Sequence, residues 1–153
     1  MAGGRIPKHD FLVWVLARVR LHVPLECPLC STNMESRQHL FFDCAFSSEV
    51  WSFFYSRLHL LPPSLLDDGI RWLKDPSRDS NIVFIVRLAF QACIYGIWRE
   101  RNTRLHSQVS RPAAVVISEI CLILRAKLDI LSREQRNLPS TVTYLSNWSL
   151  HFV

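Results

Sequence analysis

"CPLCSTNMESRQHLFFDC", residues 27–44, gathers three of the chain's five cysteines and one of its six histidines. Cys27 and Cys30 enclose two residues, His39 follows after eight more, and Cys44 after a further four. A C-x2-C pair turns tightly enough for both sulfurs to reach one ion, and structural zinc takes four ligands from Cys thiolate and His nitrogen. The spacing therefore predicts one structural Zn²⁺ held by Cys27, Cys30, His39 and Cys44. His39 and Cys44 lie five residues apart, about 140° off a common face in an ideal α-helix. The chain must leave α-helical geometry between them. Three thiolates and a neutral imidazole leave about one negative charge around a divalent ion, and Arg37 is at hand to offset it. His22 and His59 flank the stretch as alternative ligands. Cys93 and Cys121 sit inside apolar segments and read as core.

The rest of the sequence sets the frame for this loop. At 153 residues the chain is long enough to fold on a hydrophobic core without disulfides. An odd number of cysteines and no cleavable leader favour a reducing, intracellular setting, nucleus or cytoplasm, where clustered cysteines usually bind metal. The charge is one-sided: residues 1–80 hold nine Lys/Arg and nine Asp/Glu, and residues 81–153 hold nine and four, so the whole +5 lies in the second half. Such an imbalance suits a polyanion.

Apolar spacing predicts a mainly α fold: a small zinc-knuckle-like loop packed with helices, and a long C-terminal helical hairpin. "KHDFLVWVLARVRL" (8–21) has helical periodicity with Asp10 as N-cap. "FSSEVWSFFYSRLHL" (46–60) reads as a helix capped by Ser47, and "SLLDDGIRWL" (64–73) as a short one with a Ser64–Asp67 capping box. From Ile82 to Trp98 the chain is nearly all apolar, but it is shorter than a membrane span and carries Arg87 and Gln91. It reads as a buried helix with one polar stripe, continuing to about residue 107, and no membrane partner is expected. A partner helix over 112–136, with Ser110 as cap, packs against it. The tail "TVTYLSNWSLHFV" (141–153) alternates loosely, as a strand or a docked extension. The organisation expected is a zinc-binding unit over 1–61 and a helical extension over 62–153.

"CPLCSTNMESRQHLFFDCAFSSEVW" resembles the zinc-binding domain that follows the reverse transcriptase of plant LINE-type (non-LTR) retrotransposons. The likeness rests on Cys27, Leu29, Cys30, Glu35, Ser36, His39, Leu40, Phe41, Phe42, Cys44, Phe46, Val50 and Trp51. The helix at 7–21 and "IWRERNTRLH" (97–106) are similar to segments that flank the family pattern. Between the opening helix and the first cysteine the family has about ten more residues than this chain. No Tyr-x-Asp-Asp polymerase signal occurs, so the resemblance implies a detached retrotransposon piece without polymerase or nuclease activity. It also implies a nucleic-acid-binding module. Were the long helix to run on, Arg101, Arg104, Gln108 and Arg111 would share a face able to track phosphates. Arg99, Arg101, Arg104 and Arg111 are thus the expected contacts to RNA or DNA, weak and indifferent to sequence. The competing reading is a structural or protein-interaction domain, or a remnant, in which zinc only stabilises the fold.

Overall fold

The computed structural model describes residues 26–137 and 142–152, and these are helical throughout apart from loops and one isolated bridge. A π-helical turn at His39–Asp43 leads into α1 (Ala45–Arg57). It is followed by α2 (Leu66–Trp72), α3 (Ser80–Ser107), α4 (Ala113–Gln135) and α5 (Tyr144–Phe152). The mainly α reading with a long hairpin holds. The helix expected over 8–21 lies outside the described residues, as does His22.

The centre of the molecule is α3. Ile85, Val86, Cys93, Ile94 and Ile97 are fully buried, so the helix is apolar around most of its circumference. By length and composition alone it would cross a membrane, but more than half of its most apolar stretch is buried inside the protein. Asp79 caps it, accepting from the N–H groups of Asn81 at 2.8 Å and Ile82 at 3.4 Å. Arg87, the charge inside the apolar run, donates to the carbonyls of Leu73 and Lys74. Those bonds tie α3 to the end of α2.

The antiparallel partner α4 buries Val116, Ile117, Ile120, Leu124, Leu128 and Leu131, whereas Cys121, expected in the same apolar row and in the core, is only half-buried. Gly96 lets the two helices close: a Cβ there would stand 3.1 Å from Ile120 Cδ1 and 3.2 Å from Val116 Cγ1. α1 and α5 pack against this pair, Phe54 and Trp148 being buried. Phe152 stacks on Trp148 at 4.0 Å and meets Phe53 and Phe54. One hydrophobic cluster runs from Cys27 to Trp148, and both sides of residue 61 contribute to it.

Four local readings are corrected. Of the two readings of the tail the strand falls and the docked extension holds: it is helix α5, which binds α4 where Ser132 Oγ accepts from the Leu145 N–H at 2.8 Å. Ser47 does not cap α1. The N-cap is Cys44, extended at φ −62° and ψ 133°, and Ser47 sits inside the helix donating to the Leu40 carbonyl. Nor does Ser64 cap α2: the Leu66 N–H is met by Gln38 Oε1 at 2.9 Å, while Gln38 Nε2 donates to the Ser64 carbonyl. At α2 a group 28 residues away took the role that local spacing had assigned to a neighbour. Ser110 likewise gives way to Pro112 at the start of α4.

Candidate metal centre

The loop that carries the first two cysteines is a knuckle. Glu26 and Met34 form an antiparallel bridge, the Cys27 N–H donates to the Asn33 carbonyl, and the Ser31 N–H donates to the Cys27 carbonyl, both at 2.8 Å. Ser31 takes a left-handed φ of 53°, reversing the chain just after Cys30. Ser36 then starts the next turn, its Oγ accepting from the His39 N–H at 3.0 Å.

Between His39 and Cys44 the chain widens into π geometry. The Cys44 N–H donates to the His39 carbonyl at 2.7 Å, an i→i+5 bond. The extra residue in the turn swings Cys44 back over His39, and its extended backbone then opens α1. The departure from α geometry demanded by the five-residue spacing is thus a single π turn. Leu40 and Phe41 inside it are buried, and the Trp51 indole N–H donates to the Phe41 carbonyl. Trp51 also stacks on Phe42, with ring centroids 5.4 Å apart.

The four side chains converge, their ligand atoms all lying within 4.8 Å of one another. Cys27 Sγ is 4.0 Å from Cys44 Sγ, and Cys30 Sγ is 3.3 Å from His39 Nε2. A tetrahedron with zinc–sulfur bonds of about 2.3 Å has sulfur–sulfur edges of roughly 3.8 Å. The set fits zinc by atom type, number and separation. His59, considered as a substitute, is exposed and meets His151 instead.

Without a metal the four groups share protons unevenly. The Cys44 thiol is lowered to about 7, chiefly by the hydrogen bond from Cys27, with burial opposing. The same bond, with burial, pushes Cys27 far up. Burial works against the Cys30 thiolate, but hydrogen bonds from Thr32 and His39 hold it down at about 6. Burial also disfavours His39 imidazolium, yet Cys30 and Cys27 together raise the ring above its ordinary value.

Of the four arginines expected to face phosphate, Arg101, Arg104 and Arg111 are turned toward protein groups, and Arg99 stays partly exposed. Arg101 donates to Glu35 from Nε at 3.1 and 3.2 Å and from Nη2 at 2.7 Å; the Glu35 side chain is 0% exposed and that of Arg101 11%. Arg104 donates to the carbonyls of Pro28 and Leu29, at 3.3 and 2.9 Å, and to Glu100 Oε1 at 2.9 Å. Its guanidinium also lies 4.9 Å above the Phe46 ring. Arg111 is not on the helix at all, because α3 ends at Ser107 and Gln108 is left-handed at φ 55°. The loop returns Arg111 to Glu100 Oε2 at 2.8 Å and to Glu119 at 2.6 Å. Arg99 pairs with Glu119 at 3.1 Å. Two of these arginines thereby fasten the knuckle to α3. The sequence reading missed Glu35 and Glu100 as their partners. The Glu100–Arg104 spacing of four was a visible signal, whereas Glu35 lies 66 residues from Arg101 and offers none.

Residues 3–51 match the model of a family described as zinc-binding in reverse transcriptase. The match takes in all four converging residues and ends at Trp51, while residues 52–153 lie beyond it. No curated protein and no solved structure matches the chain. The matched family and the Cys27, Cys30, His39, Cys44 cluster agree on zinc as the metal.

Proposed function

We propose that the chain is a zinc-stabilised helical interaction module in which the metal has a structural role. The observation that carries this reading is the clamp beside the cluster: Arg101 on Glu35 and Arg104 on the Pro28 and Leu29 carbonyls join the knuckle to the long hairpin. Four protein ligands complete a structural zinc site and leave no position for substrate or water. When bound, zinc supplies a cross-link between residues 27–30 and 39–44, and the chain's own side chains carry that order into α3. Hydrogen exchange with and without chelator tests this. Removing the metal should raise exchange in residues 26–44 and in the second half of α3 together. Exchange confined to the loop would contradict it.

A second reading, weak nucleic-acid binding by a retrotransposon-derived module without polymerase, is favoured by the family of the matched segment and by the basic second half. Four phosphate contacts from Arg99, Arg101, Arg104 and Arg111 to a single strand would give a log–log salt slope of about −2.8. Their carboxylate partners would have to be displaced first. A salt titration with a labelled oligonucleotide decides between the two: no binding at low salt supports the structural reading, and that slope supports the second.

A further inference from the structure

The two peptide groups between Pro28 and Cys30 are engaged at both ends. On the metal side, the Leu29 and Cys30 N–H groups donate to Cys27 Sγ. On the helix side, Arg104 Nη1 donates to the Leu29 carbonyl at 2.9 Å and to the Pro28 carbonyl at 3.3 Å. The Pro28 carbonyl and the Leu29 N–H belong to one planar peptide group, and the Leu29 carbonyl and the Cys30 N–H to the next. One guanidinium thus sits at the oxygen end of both peptides whose nitrogen ends meet Cys27. A positive charge at the oxygen polarises a peptide and makes its N–H a better donor, so bonds in such a chain strengthen one another.

The charges agree in sign. Three thiolates and a neutral imidazole leave about one negative charge around a divalent ion. Behind the knuckle, Arg99, Arg104 and Arg111 set three positive charges against two on Glu100 and Glu119, in one chain of ion pairs. One positive charge is left over. Arg104 is the member of this chain that bonds to the loop, and its side chain is only 15% exposed, so salt and water screen it little. Its remaining donors fix the fork in place, Nε on Glu100 and Nη2 on the Arg111 carbonyl, both at 2.9 Å. Arg101 grips the same knuckle differently, through bonds to Glu35 and Asn102.

We infer that Arg104 is a positioning residue for the metal centre: through two peptide groups it draws charge from the Cys27 sulfur and stabilises the anionic site that zinc completes. The inference rests on the reading of the metal as structural, and it separates Arg104 from a plain clamp such as Arg101.

The test titrates the full chain with Co²⁺, because zinc is d¹⁰ and gives no such spectrum. Hydrogen bonds to a ligating sulfur lower its filled orbitals, so more energy is needed to move an electron from sulfur to metal. Arg104→Met should bind Co²⁺ about 10–100-fold more weakly, the range for outer partners of metal ligands. Its sulfur-to-cobalt charge-transfer band should lie at longer wavelength than that of wild type. Arg104→Lys keeps the charge without the fork and should fall between the two in both readings. The double variant Glu35→Gln, Arg101→Met loosens the knuckle elsewhere and should keep the wild-type band. Weaker binding with the band unmoved in both Arg104 variants overturns the inference and leaves Arg104 a clamp. Wild-type affinity in both, or an equal band shift in the double variant, overturns it as well. If circular dichroism shows Arg104→Met unfolded, the band of Arg104→Lys decides alone. A wild-type chain that takes up no tetrahedral Co²⁺ refutes the structural metal itself, and the inference with it.

Discussion

Replacing Arg101 by Met removes the only cation bonded to the Glu35 carboxylate among the described contacts, at 2.7–3.2 Å. The Glu35 side chain is wholly buried. A buried carboxylate stripped of its partner costs about 3–5 kcal/mol. Replacing both partners by neutral or apolar groups removes the stranded charge, and buried pairs treated so are often neutral or better. Arg101→Met should therefore lower stability by about 3–5 kcal/mol, or roughly 6–20 °C in Tm for a chain of this size. Adding Glu35→Gln should restore at least half of the loss. Urea unfolding of the zinc-loaded protein, followed by helical circular dichroism, measures all three variants. A surface arginine waiting for phosphate would cost less than about 0.5 kcal/mol on substitution. A loss that small for Arg101→Met, or a double variant no better than the single, would refute the clamp.

Gly96→Ala adds a methyl 3.1–3.2 Å from Ile120 and Val116. Overpacking of about 1–3 kcal/mol should outweigh the roughly 1 kcal/mol of helix propensity gained. A higher urea midpoint for the variant would count against the close contact of α3 and α4. The Glu100 carboxyl should also mark the acid limb of stability. Burial opposes its ionisation, but the Arg111 backbone N–H and the Arg104 and Arg111 guanidinium groups outweigh burial and hold it below its ordinary 4.5. Its contribution is thus complete above about pH 4.5, the unfolded value, and is lost as pH falls through the lower folded value. The stability difference between wild type and Glu100→Gln should shrink over that range, and a constant difference would show that Glu100 is not linked to protons there.

Much of this architecture was legible because it is periodic or local. The apolar rows of α3 and α4 follow from 3.6-residue spacing, and Cys27, Cys30, His39 and Cys44 declare themselves by type and separation. What failed was set by partners far along the chain. Gln38 caps α2 from 28 residues away, and Glu35 turns Arg101 inward from 66 away. The arginine row on α3 shows the general difficulty. Spacing tells which residues share a face but not whether that face meets water or a buried carboxylate. The tail was left between a strand and a docked extension because alternation over a few residues does not separate a strand from a short helix held by Ser132 and an aromatic stack.

The most direct measurement is the metal content of the full chain, purified without chelator, beside that of Cys30→Ser. The account predicts one zinc per chain in the wild type, a loss of zinc in the variant, and a fall in stability in both the variant and the chelated wild type. Zinc binding supplies about 10–16 kcal/mol in small zinc peptides, so the effect should be large. A wild-type protein without zinc, or a Cys30→Ser protein of unchanged stability, would contradict it.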